Sequence, residues 1–330
     1  MSGFTRRQFL GLAGSVAATA TLAAAGCGDA APKAAPTNSR RSPSAAPVTG
    51  DSTRPSPNAT DGRSVLAVAH GGDPEAITVA ALAELGGMKR FVRRGDDVVI
   101  KPNICTGYHG PEYAATTNPV VVGTLVALCR RAGAGRVRVM DSPFGGPADE
   151  AYRVSGIAAA VEQAGGEMEI MAPAKFQEFE IPDGRSIKSW PIYRDVLSCD
   201  VLIDAPIVKT HGLTRLTLAG KNLLGVILEP GSIHSDVGQR TADLISVCRP
   251  TLTVVDAVRV LTANGPTGGD LNDVEQLDTV IAGADIVAAD SYAATLFDLR
   301  GEDVPYVRAA AAMGLGEIDL DRVDVRRVRV

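Results

Sequence analysis

The chain is poor in the residues that most directly announce a chemistry. Its 330 residues include four histidines, five cysteines and one tryptophan, and aromatics make up only 4%. So little aromatic surface leaves no base-stacking platform. A net charge of −5 argues further against polyanionic partners, so nucleic acid is set aside. Cys105, Cys129, Cys199 and Cys248 are widely spaced and contain no C-x-x-C pair. They encode neither an iron–sulfur cluster nor a zinc ribbon, and buried free thiols are expected rather than an assignable disulfide. The Gly- and Pro-rich stretch Asn264 to Gly269 lacks a Walker lysine and does not match G-x-G-x-x-G, so it reads as a plain loop. No internal repeat of fixed period is visible.

What is present begins with a targeting segment. Thr5-Arg6-Arg7-Gln8-Phe9-Leu10 is followed by an uncharged, Ala-rich run ending in Ala24-Ala25-Gly26-Cys27. The pattern resembles a twin-arginine signal peptide over residues 1–26 with a lipidation site at Cys27. That implies export and a lipid anchor at Cys27, on the outer face of the cytoplasmic membrane or in the periplasm. Removing Arg6 and Arg7 with no acid takes the net charge from −5 to −7. Residues 27–62 carry six prolines with Ser, Thr and Ala and no apolar periodicity, the composition of a disordered tether.

Residues 63–330 alternate short β-branched runs with longer apolar-periodic segments, the signature of repeated βαβ units. A Rossmann-like α/β domain follows, with a mostly parallel sheet flanked by helices. Strands are expected at Val65 to Ala69, Asp97 to Lys101, Arg136 to Asp141, Glu167 to Met171, Val201 to Ala205, Thr251 to Val255 and Thr279 to Ala282. Helices are expected at Asp73 to Leu85, Asn118 to Ala132, Asp149 to Gln163, Thr217 to Gly225, Gly238 to Cys248, Asp285 to Leu299 and Val304 to Ala312. Asp73-Pro74 and Asn118-Pro119 place a capping side chain before a proline at the first helical position. Phe176 to Pro182 and Ser186 to Trp190, joined at Asp183-Gly184, read as an inserted β-hairpin.

Ligands in open parallel sheets bind beyond the carboxyl ends of the strands, so polar residues there carry the functional reading. Lys101-Pro102-Asn103, Asp141-Ser142, Lys209-Thr210-His211 and Asp256 all occupy such positions. Lys209, His211 and Lys221 lie close together in an otherwise apolar region, and Ala219-Gly220 would let a ligand approach the backbone. Lys101, Lys209 and Lys221 could bind a carboxylate or phosphate, with Asn103, Asn222 and Asp256 completing the contacts. His211, Lys209 and Lys221 are the catalytic candidates. His211 and His234 could hold a metal ion through neutral imidazole. A snorkelling lysine or a hydrogen-bonded histidine is the plainer account of each residue alone. Asp141 and Asp256 could instead cap the turns that follow them.

Taken together, Val99-Ile100-Lys101-Pro102-Asn103, Asn118-Pro119, Asp204 to His211, Gly220 to Gly225, His234 with Asp243, Val254-Val255-Asp256, and Gly265-Pro266 with Gly269 resemble the domain of unknown function 362 family. Many members carry an appended ferredoxin module, which this chain lacks. The order His211, Lys221, His234 is also similar to that of the nickel-pincer lactate racemases, where it implies contacts to a pyridinium-derived nickel cofactor. Two functions are expected to compete. One is an extracytoplasmic enzyme, metal- or cofactor-assisted, acting on a small anionic molecule. The other is a lipid-tethered protein that captures such a ligand without catalysis. A structural role in a membrane complex is a third.

Overall fold

The computed structural model describes residues 62–330. The targeting segment, Cys27 and the expected tether as far as residue 61 lie outside the described residues.

Twelve strands and nine helices form the described chain. The first half runs β1 Val65–His70, α1 Pro74–Glu84, β2 Asp97–Pro102, α2 Pro119–Ala132, β3 Arg136–Val139, α3 Ala148–Val154, α4 Ile157–Gln163, β4 Glu167–Met168, β5 Phe176–Glu180 and β6 Ser189–Tyr193. The second half runs α5 Arg194–Ser198, β7 Val201–Ala205, β8 Ile207–His211, β9 Arg215–Thr217, α6 Ala219–Asn222, α7 Val237–Val247, β10 Leu252–Leu261, β11 Val274–Gly283, α8 Ile286–Thr295, α9 Pro305–Ala312 and β12 Asp324–Arg329. Ten strands build one mixed, mostly parallel sheet in the order β12-β1-β11-β10-β7-β2-β3-β4, with β8 pairing with β10 and β9. Strand β11 runs antiparallel between β1 and β10, while β7, β2, β3 and β4 are parallel neighbours.

The sheet is buried on both faces because its central strands are apolar at every position rather than at alternate ones. In β2, Val98 and Ile100 join one core with α1 and α2, whereas Val99 points into a second core with α7, α8 and α9. Val254 and Val255 divide in the same way. This is the α/β architecture expected from the sequence.

Local chemistry sets the safest boundaries. Asp73 accepts the Glu75 N–H at 2.9 Å and Asn118 that of Val120 at 2.9 Å, each ahead of a proline. Gly133, with φ +102°, closes α2 in the left-handed conformation. Asp285 caps α8 through the Val287 and Ala288 N–H groups.

Several expectations need correction. The helix read over Asp149 to Gln163 is two helices, since Gly156 between them has φ +73° and breaks the run. Thr217 to Gly225 is not one helix either: Thr217 ends β9, and α6 is a single turn that passes into a 3-10 turn, Leu223–Val226. The hairpin exists as β5 and β6, but its register pairs Phe176 with Tyr193 and Glu180 with Ser189, so the connection is longer than a tight turn. Asp243 holds that connection by accepting the Arg185, Ser186 and Ile187 N–H groups at 2.8, 2.6 and 2.9 Å. Lys209 and His211 do not follow strand β7. They belong to a strand of their own, β8, beyond Pro206. Among the described residues no helix is long and apolar enough to cross a membrane.

Candidate functional site

The carboxyl ends of β2, β3 and β8 meet β9 and α6 around a cavity of about 320 Å³. Lys101, Asn103, Lys209, His211, Lys221 and Asn222 all line it, with His234 at its rim. Residues 133 positions apart in sequence at the extremes thus share one opening, because the parallel strands end on one side of the sheet.

The three lysines differ in their partners. Lys101 is 1% exposed; its Nζ lies 2.9 Å from Asp141 Oδ1 and donates to Asn222 Oδ1 at 2.7 Å. Asp141 in turn accepts the Ile104 N–H at 2.6 Å and that of Ser142 at 2.8 Å. Burial pushes this carboxyl up from its ordinary value, and Lys101 opposes the shift. Lys209 is also 1% exposed; it donates to Asn103 Oδ1 at 2.8 Å and to the Ala115 carbonyl at 2.6 Å. Like Lys101, it is therefore held by two partners. Asn103 and Asn222 are linked by a 2.9 Å hydrogen bond, and Asn222 also donates to Asp204 at 2.7 Å, so the two asparagines are tied into this floor.

Lys221 stands apart. It is half-buried at the cavity wall, and among the described residues no hydrogen bond or ion pair holds its ammonium. Burial, reinforced by the charge of Lys209, brings its pKa down to about 8. The turn that carries it is fixed from below. Buried Asp290 of α8 accepts the Ala219 and Gly220 N–H groups at 2.8 and 2.9 Å. Gly220 therefore serves packing rather than ligand approach, since a Cβ there would stand 2.9 Å from Ile245 Cδ1 and 3.0 Å from Tyr306 Cδ2.

His211 is held in one tautomer. Its Nδ1 accepts the Leu213 backbone N–H at 3.1 Å, so the neutral ring carries its proton on Nε2. Burial first, and then Lys221 and Lys209, lower its pKa to about 3, so the ring is neutral at physiological pH. Thr217 also faces the cavity, 3% exposed, with a hydroxyl that has no hydrogen-bond partner. Sequence reading missed it, because a lone threonine at a strand end carries no signal.

A bare metal ion does not suit this donor set. Among the described residues no group of three or more His, Cys, Asp or Glu side chains could hold one. Burial lowers both imidazoles, and the Lys221 ammonium lowers them further. For His211 to bind a metal through Nε2, the ring would have to give up the Leu213 hydrogen bond or lose its remaining proton. The expected pairing of His211 and His234 as metal ligands is therefore not carried forward.

Asp256 does not belong to the site. It is fully buried and accepts the Asn118 N–H at 2.7 Å and the Val258 N–H at 2.9 Å, which makes it a cap of the kind post-strand aspartates commonly form. The loop read as plain, Asn264 to Gly269, does contribute: Pro266 lines the cavity, and the Gly265 N–H donates to Thr210 Oγ1 at 3.2 Å. His70 is exposed, and His109 stacks on Tyr113 at 4.5 Å. Cys105, Cys129, Cys199 and Cys248 are free.

Gly225 closes the floor of the cavity. A Cβ at this position would stand 2.0 Å from Asp141 Oδ1 and 2.6 Å from Lys101 Nζ, both buried and fixed. Gly225→Ala is expected to lower stability by about 3 kcal/mol, measured by urea unfolding. An unchanged midpoint would show that the Lys101–Asp141 pair can move aside.

The chain is 27% identical over 249 residues, 71% of its own length and 73% of the relative's, to a thylakoid-associated protein of Synechocystis sp.. Among solved structures it is similar to the lactate racemase apoprotein of Thermoanaerobacterium thermosaccharolyticum, at 12% identity and a TM-score of 0.42 over 74% of this chain and 56% of that one. It is also similar to a structural-genomics protein of Thermotoga maritima, at 12% identity and a TM-score of 0.38 over 69% of this chain and 60% of that one. The chain thus spans less than two thirds of both solved structures. The stretch that matches a family model, residues 98–295, runs from β2 into α8 and contains every residue lining the cavity, and by it the chain belongs to the family described as Domain of unknown function (DUF362).

Proposed function

We propose that the protein acts on a small anionic molecule, a carboxylate or phosphate, seated against Lys221, with proton transfer to or from the bound molecule as its chemistry. The observation that carries this reading is the unpaired ammonium of Lys221 at a cavity wall where the neighbouring lysines are already satisfied. An unpaired, partly desolvated charge is costly to keep, and an incoming anion relieves that cost. The Nε2–H of His211 supplies a neutral donor for an oxygen on which charge develops. A pKa near neutrality lets Lys221 exist as ammonium or free amine, as a general acid–base group must.

The protein is further proposed to be exported through its twin-arginine signal and held at a membrane by lipid on Cys27.

The first test is calorimetric titration with sulfate, whose charge does not change over the range studied. Binding requires the Lys221 ammonium, so affinity is expected to be flat below about pH 7 and to fall as pH rises through about 8. The limiting slope is about tenfold per pH unit for one required proton. Flat affinity to pH 10 would remove Lys221 from the site. Catalysis is separated from capture by incubating candidate carboxylates in heavy water with the protein: exchange of a carbon-bound proton seen by NMR supports proton transfer. Tight binding without exchange across the carboxylate and phosphate panel would favour the capture reading.

A further inference from the structure

Part of the cavity lining is apolar. Ile104, Leu224, Pro230 and Pro266 contribute to it, and so does Phe144, which remains 64% exposed. Three more large apolar side chains stand exposed within three residues of lining residues. Tyr108 is 61% exposed three residues after Cys105, Leu213 is 60% exposed two residues after His211, and Leu228 is 42% exposed two residues before Pro230. Those loops are anchored. Thr106 bridges Gly145, which places the Tyr108 and Phe144 loops side by side, and Trp190 Nε1 donates to the Leu228 carbonyl at 2.9 Å. Exposed apolar residues scattered singly need no explanation, but a group around one cavity mouth marks a binding surface.

We propose that the ligand is an amphiphilic anion, a phosphate or carboxylate carrying an alkyl or acyl chain. Its head sits on Lys221, His211 and Thr217, and its chain leaves along Leu224 and Phe144 toward Tyr108, Leu213 and Leu228. This inference rests on the anion-binding reading and adds the chemistry of the rest of the molecule. The unpartnered hydroxyl of Thr217, a cavity-lining residue only 3% exposed, is the independent sign that a polar head group completes the inner end. An apolar wall without that inner polar set would suit a neutral hydrocarbon. The polar set without the wall would suit a free inorganic ion.

The test is a chain-length series on the full protein by calorimetry: inorganic phosphate, then methyl, butyl, hexyl and octyl phosphate, each below its micellar range. The dissociation constant is expected to fall about threefold to fourfold per methylene over the first several carbons. Phe144→Ala is expected to flatten that dependence. Thr217→Val is expected to weaken every member of the series by a similar factor. Equal affinity along the series, all of it abolished by Lys221→Gln, would overturn the amphiphile and leave the anion site standing. Affinity that rises with chain length but ignores both Lys221→Gln and Phe144→Ala would place the ligand elsewhere and overturn both readings.

Discussion

Lys221→Gln is expected to weaken sulfate binding roughly ten- to 150-fold, the range for losing one charge-assisted hydrogen bond of about 1.5–3 kcal/mol, and at the same time to stabilise the ligand-free protein. The second half of that expectation separates a ligand-binding lysine from a structural one. The ammonium of Lys221 is lowered from an ordinary 10.5 to about 8, so the folded protein resists its protonation. Its cost to stability is present in full below about pH 8 and fades as pH rises toward 10.5. Removing the charge at pH 7 should therefore raise stability by about 1 kcal/mol after allowance for solvent screening, roughly 2–4 °C in Tm for a domain of this size. Loss of affinity with gain of stability is the pattern of a site held ready at the expense of the fold. A variant that loses both would mark Lys221 as structural.

Lys101→Met is expected to have the opposite sign and a larger size. It leaves the Asp141 carboxylate, 3% exposed, without its counter-ion, and frees the Asn222 oxygen that Lys101 and Asn103 share. Breaking a buried pair by removing one partner costs about 3–5 kcal/mol. The loss should appear as a lower urea midpoint with unchanged slope. Adding Asp141→Leu to Lys101→Met should recover part of it, because the uncompensated charge is then gone. A double variant no more stable than the single would mean that shape, rather than charge, governs this floor.

The contrast between these lysines shows what the sequence could carry. Much of the strand and helix order was legible because β-branched runs, Asp73-Pro74 and Asn118-Pro119 act within a few residues of themselves, whereas β9 and β12 went unread. The residues around the cavity were legible as a group, since the ends of parallel strands converge whatever the side chains are. Which lysine lacks a partner was not legible. Lys101 meets Asn222 across 121 positions and Lys209 meets Asn103 across 106, and no local pattern encodes such pairings. For the same reason Asp256 looked like a ligand and proved to hold the Asn118 turn 138 positions away. Asp290 lies within the helix expected over Asp285 to Leu299, and no local pattern shows that it fixes the turn that carries Lys221. Strand β8 was hidden by Pro206, which separates it from β7 by one residue and made the two read as a strand and its trailing loop. The extra turn Gly156 places between α3 and α4 is a lone glycine in an apolar-periodic run, too weak a mark to split one helix into two.

One ammonium among the three is left for a ligand. NMR of lysine ε-methylene groups in the full protein, titrated with pH with and without sulfate, decides the matter, the Lys221 signal being the one that Lys221→Gln removes. This signal is expected to titrate near pH 8 in the free protein and to move upward when sulfate is added. A Lys221 signal that titrates at its ordinary value and ignores sulfate, with Lys101 or Lys209 responding in its place, would contradict it.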